Sequence, residues 1–269
     1  MSSQQFPINS LQTLRRTLKQ QLVLPECENI PSTVTSETIA EPDSLATLSN
    51  LFRNGGIEQS EGSTPNANGQ WFISTVDASA AIKQLPSIAL KPNYCLVTYL
   101  YRIKRANKHH GGSVTWAINN QLSTTSHLEA ALTAADDHTT PPYPEGALAN
   151  YMTAITGNLT ASSFLIASVL QRELQEFGRC GQFHRWHHHR LISTLPKQRH
   201  WQWRVEQPKN LTPKVHALAN GKAAVEFYTC RVVPPISIFR HIDRYSGNSY
   251  VAKPSNQAIA STKELATLA

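Results

Sequence analysis

Residues 93–118 read NYCLVTYLYRIKRANKHHGGSVTWAI, and this stretch decides the fold class. Its two arms, Asn93–Arg105 and Ser113–Ile118, are rich in the β-branched and aromatic residues that suit a pleated, half-buried surface. The segment ANKHHGG between them supplies a turn with two glycines, so the pair predicts an antiparallel hairpin. Alternation in the first arm puts Tyr94, Leu96, Thr98, Leu100 and Arg102 on one face, and Cys95, Val97, Tyr99, Tyr101 and Ile103 on the other.

Downstream, a proline-punctuated loop (133–146) leads to two predicted helices. ALANYMTAIT runs from just after Gly146 to Gly157. ASSFLIASVLQRELQEF follows Thr160 as its cap and stops at Gly178, with Phe164 or Leu165, Val169, Leu170, Leu174 and Phe177 as an apolar stripe. Further strands are expected at 200–205 (HWQWRV), 223–233 (AAVEFYTCRVV) and 236–245 (ISIFRHIDRY), the last two divided by Pro234–Pro235. Strands, two central helices, then strands again make an α+β fold with a hairpin-rich antiparallel sheet, not a doubly wound one.

Upstream, SLQTLRRTLKQQLVL (Ser10–Leu24) spaces its leucines for a short amphipathic helix that Pro25 ends. Residues 25–70 are polar and acidic, poor in the apolar surface needed to offset ordering entropy, and are expected to be a disordered linker. The predicted organisation is a helix over 1–24, the linker over 25–70, one α+β domain over 71–255 and a tail over 256–269.

Charge divides along the chain. Residues 1–80 carry four Lys/Arg against eight Asp/Glu, whereas the rest carries 21 against 10, within an overall net charge of +7. A basic body beside an acidic segment suits a polyanionic partner, although a charge of this size also serves plain solubility. The acidic linker would be able to fold back over a basic face and compete for it. The four cysteines form no CxxC pair, the chain opens without a secretory pattern, and no apolar run is long enough to span a bilayer. A cytoplasmic protein with reduced thiols is expected, with no membrane span.

The unusual stretch is FHRWHHHRLISTLPKQRHWQWR, residues 183–204, with five histidines, three tryptophans, five Lys/Arg and no acid. Three chemistries compete for it. Cys180, His184, His187 and His188 offer zinc-type donors directly after a helix stop, but Arg179, Arg185 and Arg190 would repel a dication and no nearby carboxylate orients the imidazoles. Asp136, Asp137 and His138 would join such a site only through folding. Catalysis has no local signature: there is no GxSxG, phosphate loop or HExxH. Cys180 with His184, and His241 with Asp243 on one strand face, are the pairs that chemistry would use.

Polyanion binding has both of its ingredients, cations spaced along a surface and flat rings for stacking. The candidate contact residues are Arg185, Trp186, Arg190, Lys197, Arg199 and Arg204, joined by Arg102, Lys104 and Arg105 at the hairpin tip. Against this, Trp201 and Trp203 alternate along a strand and suit a core. The sequence therefore favours a non-enzymatic binding or assembly protein for an anionic partner, single-stranded nucleic acid first and an acidic protein second. The alternative is a metal-assisted enzyme using Cys180, His184, His187 and His188. No cofactor is expected, zinc is the ion the cluster would take, and no small-molecule substrate is identifiable. Burial separates the classes: an exposed Trp186 with buried Trp201 and Trp203 fits a loop surface, and a closed pocket of His and Cys favours chemistry.

Overall fold

A computed structural model describes residues 2–29, 68–105, 108–135, 138–197, 200–218 and 221–262. Most of the expected linker, together with Asp136, Asp137 and Arg199, lies outside these residues.

The chain begins with β1 (Ser2–Gln5), α1 (Ile8–Gln21) and a single turn, α2 (Glu26–Asn29). Then come β2 (Gln70–Ile73), α3 (Ser79–Lys83), β3 (Ile88–Leu90), β4 (Tyr94–Arg105), β5 (Lys108–Asn119) and α4 (Thr125–Ala130). After β6 (Ile155–Gly157) comes α5 (Ala161–Glu176). The chain continues through β7 (His189–Ile192), β8 (Trp201–Trp203), β9 (Lys214–Ala217), β10 (Ala223–Arg231), β11 (Ser237–Tyr245) and β12 (Ala252–Thr262). The architecture is α+β with antiparallel sheets, as the sequence predicts.

The hairpin forms as read: β4 and β5 pair from Tyr94↔Asn119 to Arg105↔Lys108, and β2 adds to the other edge of β4. The larger sheet has seven strands in the order β1-β9-β10-β11-β12-β8, with β7 beside β10. β9 and β7 share one side of β10, β9 along Ala223–Glu226 and β7 along Tyr228–Arg231. The expected domain end at 255 falls inside β12, which continues to Thr262 and pairs with both β11 and β8. α1 also belongs to this body, since Leu11 and Leu18 are buried in the main core and the helix packs on α5.

Two local expectations differ. The start of the predicted linker is folded at Glu28, whose carboxylate accepts hydrogen bonds from Ser74 Oγ, Thr75 N and Thr75 Oγ1. ALANYMTAIT forms a 3-10 turn over Tyr151–Ala154 and then β6, because Ile155–Gly157 finds a sheet partner in Ile88–Leu90. Strand pairing overrides its helix propensity.

α5 places the site. Its apolar stripe is present, yet every residue from Ser163 to Leu174 is buried, because α5 contacts α1, β9, β10, β3 and β5 at once. A helix enclosed on all sides must satisfy each polar side chain internally. Arg172 and Glu173 are buried in this way, and their partners build the cleft described next; the equally buried Gln171 has no hydrogen bond at Oε1 among the described residues.

Candidate anion-binding cleft

Three side chains on the last turns of α5 organise the surroundings. Arg172 reaches the sheet: its Nη1 donates to Asp243 Oδ2 at 2.5 Å and its Nη2 to Asp243 Oδ1 at 2.9 Å. Glu173 Oε1 accepts from Arg15 Nε of α1 at 2.6 Å and from Trp186 Nε1 at 2.5 Å. Glu176 Oε1 accepts the backbone N–H of Arg185 and of His187, each at 2.9 Å. Arg15 completes the clamp by donating to the carbonyls of Trp186 and His189 and lying 4.7 Å over the indole. The His-rich segment, which has little regular structure of its own, is thus fixed by α1 and α5.

Beneath it runs a chain of hydrogen bonds whose direction can be assigned. Asn256 Oδ1 accepts from Arg172 Nη2 at 3.2 Å, and since a guanidinium only donates, the amide oxygen must face it. The same oxygen sits 2.6 Å from His241 Nδ1, which therefore carries a proton. His241 is 3% exposed. Burial, then the Arg172 charge, hold its pKa well below the ordinary value, so its Nε2 is a bare acceptor. Thr229 Oγ1, 2.8 Å away, donates to that nitrogen and accepts in turn from His189 Nδ1 at 2.7 Å. Burial, followed by Arg231 and Arg15, lowers the His189 pKa to about 4. His189 is left as the neutral Nδ1–H tautomer, with a lone pair on Nε2 that takes no hydrogen bond among the described residues.

The His189 ring stacks on Trp186 (centroids 5.5 Å apart, 21° between planes) and opens on a cavity of about 440 Å³. Arg172, Trp186, His241, Asn256 and Phe239 line the cavity with it, and Arg179 and Arg185 stand at its edge. Arg172 is neutralised by Asp243. Arg179 and Arg185 have no ion pair among the described residues, and against Glu176, the one carboxylate in the lining, they leave a single net positive charge over neutral imidazoles. Such a site suits an anionic group.

The residues singled out from the sequence divide. Arg185, Arg190, Lys197, Arg204, Lys104 and Arg105 are exposed. Arg102 is not: it is 0% exposed, with Nε donating to the Glu28 carbonyl and Nη1 to the carbonyls of Tyr101 and Gly112, so its charge serves the interior. Trp186 is 8% exposed and buried under Arg15, whereas Trp201 and Trp203 are half-buried against Leu211, Tyr228 and Ile259. The tryptophans thus depart from the loop-surface pattern, and the cavity brings together His189 and His241 without Cys180.

The hairpin does reach the helix-to-sheet connection, through paired hydrogen bonds between Gly111 and Cys180 and a bond from Gln182 N to His110 Nδ1. Only glycine fits at 111, where a Cβ would lie 2.4 Å from Arg102 Nη1 and 2.8 Å from Cys180 Sγ.

That contact separates Cys180 from its expected metal partners. Its sulfur turns toward Arg102 and burial raises its pKa, while His184 and His187 stack face to face at 4.6 Å, an arrangement in which ring nitrogens do not converge on one ion. Among the described residues no group of three or more His, Cys, Asp and Glu is placed to hold a metal. The His241–Asp243 pair is also rearranged: both are buried on one face, but Asp243 is taken by Arg172 and His241 by Asn256 and Thr229. The functional side chains missed in the sequence are Arg172, His189, Thr229 and Asn256.

Among the described residues no helix is long and apolar enough to cross a membrane. Comparison with family models, curated proteins and solved structures returned no match, so the reading rests on the chain's own residues.

Proposed function

We propose that the chain binds single-stranded nucleic acid and seats one phosphate in the cleft between α5 and β7. The observation that carries this reading is the pair of guanidiniums, Arg179 and Arg185, which form no ion pair among the described residues and line a concave site with a single carboxylate, Glu176. Fork-shaped donors recognise phosphate oxygens, and the half-buried Phe239 offers a ring for a base.

A second basic groove supports a track longer than one phosphate. Arg16 and Lys19 of α1 and Arg190 of β7 border about 500 Å³ on the other side of the His-rich segment. Burial and the neighbouring Arg15 lower the Lys19 pKa, a like-charge crowding that an anion would relieve. Lys104 and Arg105 lie at the tip of the hairpin, where the nearby His110 and Gly111 contact Gln182 and Cys180 just ahead of the same segment.

The test is fluorescence anisotropy of a labelled single-stranded RNA at about 50 and 200 mM salt. Binding should weaken tenfold or more across that range, as expected for several phosphate contacts. The double substitution Arg179→Glu and Arg185→Glu should remove most of it. An absence of binding at the lower salt ends the nucleic-acid reading and leaves an acidic protein as the partner to seek.

A further inference from the structure

Building on the nucleic-acid reading, we propose that the cleft cleaves RNA without a metal, with His189 Nε2 as the base that removes the proton of a ribose 2′-hydroxyl. Three observations lead there. The hydrogen-bond chain Arg172–Asn256–His241–Thr229–His189 sets a single tautomer and leaves its one unbonded lone pair on His189, a ring that lines the cavity. The two unpaired guanidiniums, Arg179 and Arg185, line the same cavity, where the extra charge of a five-coordinate phosphorus would develop. The cavity lining also contains no Ser, Thr, Cys, Lys or Tyr, and Thr229 is 0% exposed. Among the described residues the lining thus offers no hydroxyl, thiol or amine nucleophile, and the nucleophile is taken from the substrate. RNA carries one beside each phosphate, and DNA does not.

The step balances without a co-reactant other than water. His189 Nε2 takes the 2′-hydroxyl proton, and the 2′-oxygen forms a bond to the adjacent phosphorus as the P–O5′ bond breaks. The electron pair of that bond leaves on O5′, which takes a proton from water, and the proton on His189 neutralises the hydroxide formed. The products are a 2′,3′-cyclic phosphate and a 5′-hydroxyl. Arg179 and Arg185 hold the phosphate oxygens. His241, Thr229 and Asn256 are positioning residues, because they act through the orientation and tautomer of His189. Glu176 is the other base in the lining, and its Oε1 is already occupied by two backbone N–H groups.

The experiment incubates the full chain with 5′-labelled single-stranded RNA in excess EDTA, beside an all-deoxy strand of the same sequence. The RNA should be cut to fragments ending in 2′,3′-cyclic phosphate, while the DNA binds and stays intact. His189→Ala should slow cleavage by roughly 10²–10⁴-fold, the usual contribution of a positioned base, and still bind RNA. Added imidazole should restore part of the rate to His189→Gly, which a purely structural role would not allow. RNA that binds but stays whole overturns this inference alone, as does cleavage that survives His189→Ala or leaves 3′-hydroxyl ends. Failure to bind any RNA overturns the binding reading and this one together.

Discussion

Arg172 and Asp243 meet through two parallel hydrogen bonds, with the Arg172 residue 8% and the Asp243 residue 0% exposed, and the guanidinium lies 4.8 Å over the ring of Phe227. The pair joins α5 to β11 across 71 positions of sequence and presents Arg172 Nη2 to Asn256. A buried pair of this kind is costly to halve, because the survivor stays charged and unpartnered. Arg172→Met should therefore cost about 3–5 kcal/mol in urea unfolding. The double variant Arg172→Met with Asp243→Leu should recover much of that loss. A single variant as stable as the double would show that the pairing is not what holds the two elements together.

The N-terminal helix makes a similar prediction for the site. Arg15 is 7% exposed and its partner Glu173 4%, and the same carboxylate oxygen serves Trp186. Arg15→Leu should destabilise by about 3 kcal/mol, since Glu173 would keep a buried charge, and should loosen the segment that carries Arg185. Trp186 fluorescence and RNA affinity should fall together. Stability and affinity close to the unsubstituted chain would mean that α1 does not hold the cleft.

The lowered imidazole pKa values of His189 and His241 give stability a definite pH dependence, and burial lowers His184 and His187 in the same direction. His189 faces Arg15 from α1, Arg172 from α5, Arg231 and Thr229 from β10, His241 from β11 and its neighbour His188. Its pKa is about 4 in the folded chain and near 6.5 when unfolded. The unfolded state binds the proton more readily, so stability is complete above pH 6.5 and falls as the pH drops toward 4. The shift corresponds to a loss on the order of 3 kcal/mol, and His241, also lowered by burial, adds to it. Urea midpoints at pH 7 and pH 4.5 should differ accordingly, and His189→Gln should narrow the difference. A flat profile over this window would remove the buried neutral imidazoles.

Why some of this was legible and some was not follows from how each feature is encoded. The hairpin and α5 depend on near neighbours in sequence, alternation over 93–105 in one case and a capped apolar stripe in the other, so a single chain displays them. The chain of hydrogen bonds draws Arg172, His189, Thr229, His241 and Asn256 from α5 and four strands, and no spacing links them. His241 and Asp243 stood out as a same-face pair, but their real partners lie across the sheet, and Asn256 belongs to a stretch read as a tail. Trp186 read as exposed because its neighbours are histidines and arginines, when Arg15, some 170 residues earlier, covers it.

Arg102 tests the same point by substitution. A cation in a hairpin next to Lys104 and Arg105 looks like one of a surface cluster, yet β4 is buried on both faces as far as Arg102, which lies in the interior against the Glu28 carbonyl. Arg102→Ala should behave as a core variant, losing about 2–4 kcal/mol through unpaired carbonyls and lost packing. Lys104→Ala with Arg105→Ala should leave stability within about 0.5 kcal/mol and lower RNA affinity, with a salt slope reduced by roughly one to two. Thermal melts beside anisotropy separate the two classes. Reduced affinity in Arg102→Ala without loss of stability would return Arg102 to the binding surface.

The assigned tautomer of His189 can be measured without any substrate. Arg172 forces the oxygen of Asn256 inward and makes each later donor and acceptor follow. Long-range 15N–1H correlation spectra at pH 7 should show both His189 and His241 neutral and protonated at Nδ1. Thr229→Val removes the hydroxyl that carries the sequence onward, so His241 should keep its Nδ1 proton, held by Asn256, while His189 becomes a mixture of tautomers. A His189 protonated at Nε2 in the unsubstituted chain would reverse the chain's direction, turn that nitrogen into a donor and remove the base from the site. Such a spectrum would leave phosphate binding intact, since Arg179 and Arg185 do not depend on the tautomer, and it would confine the cleft to recognition.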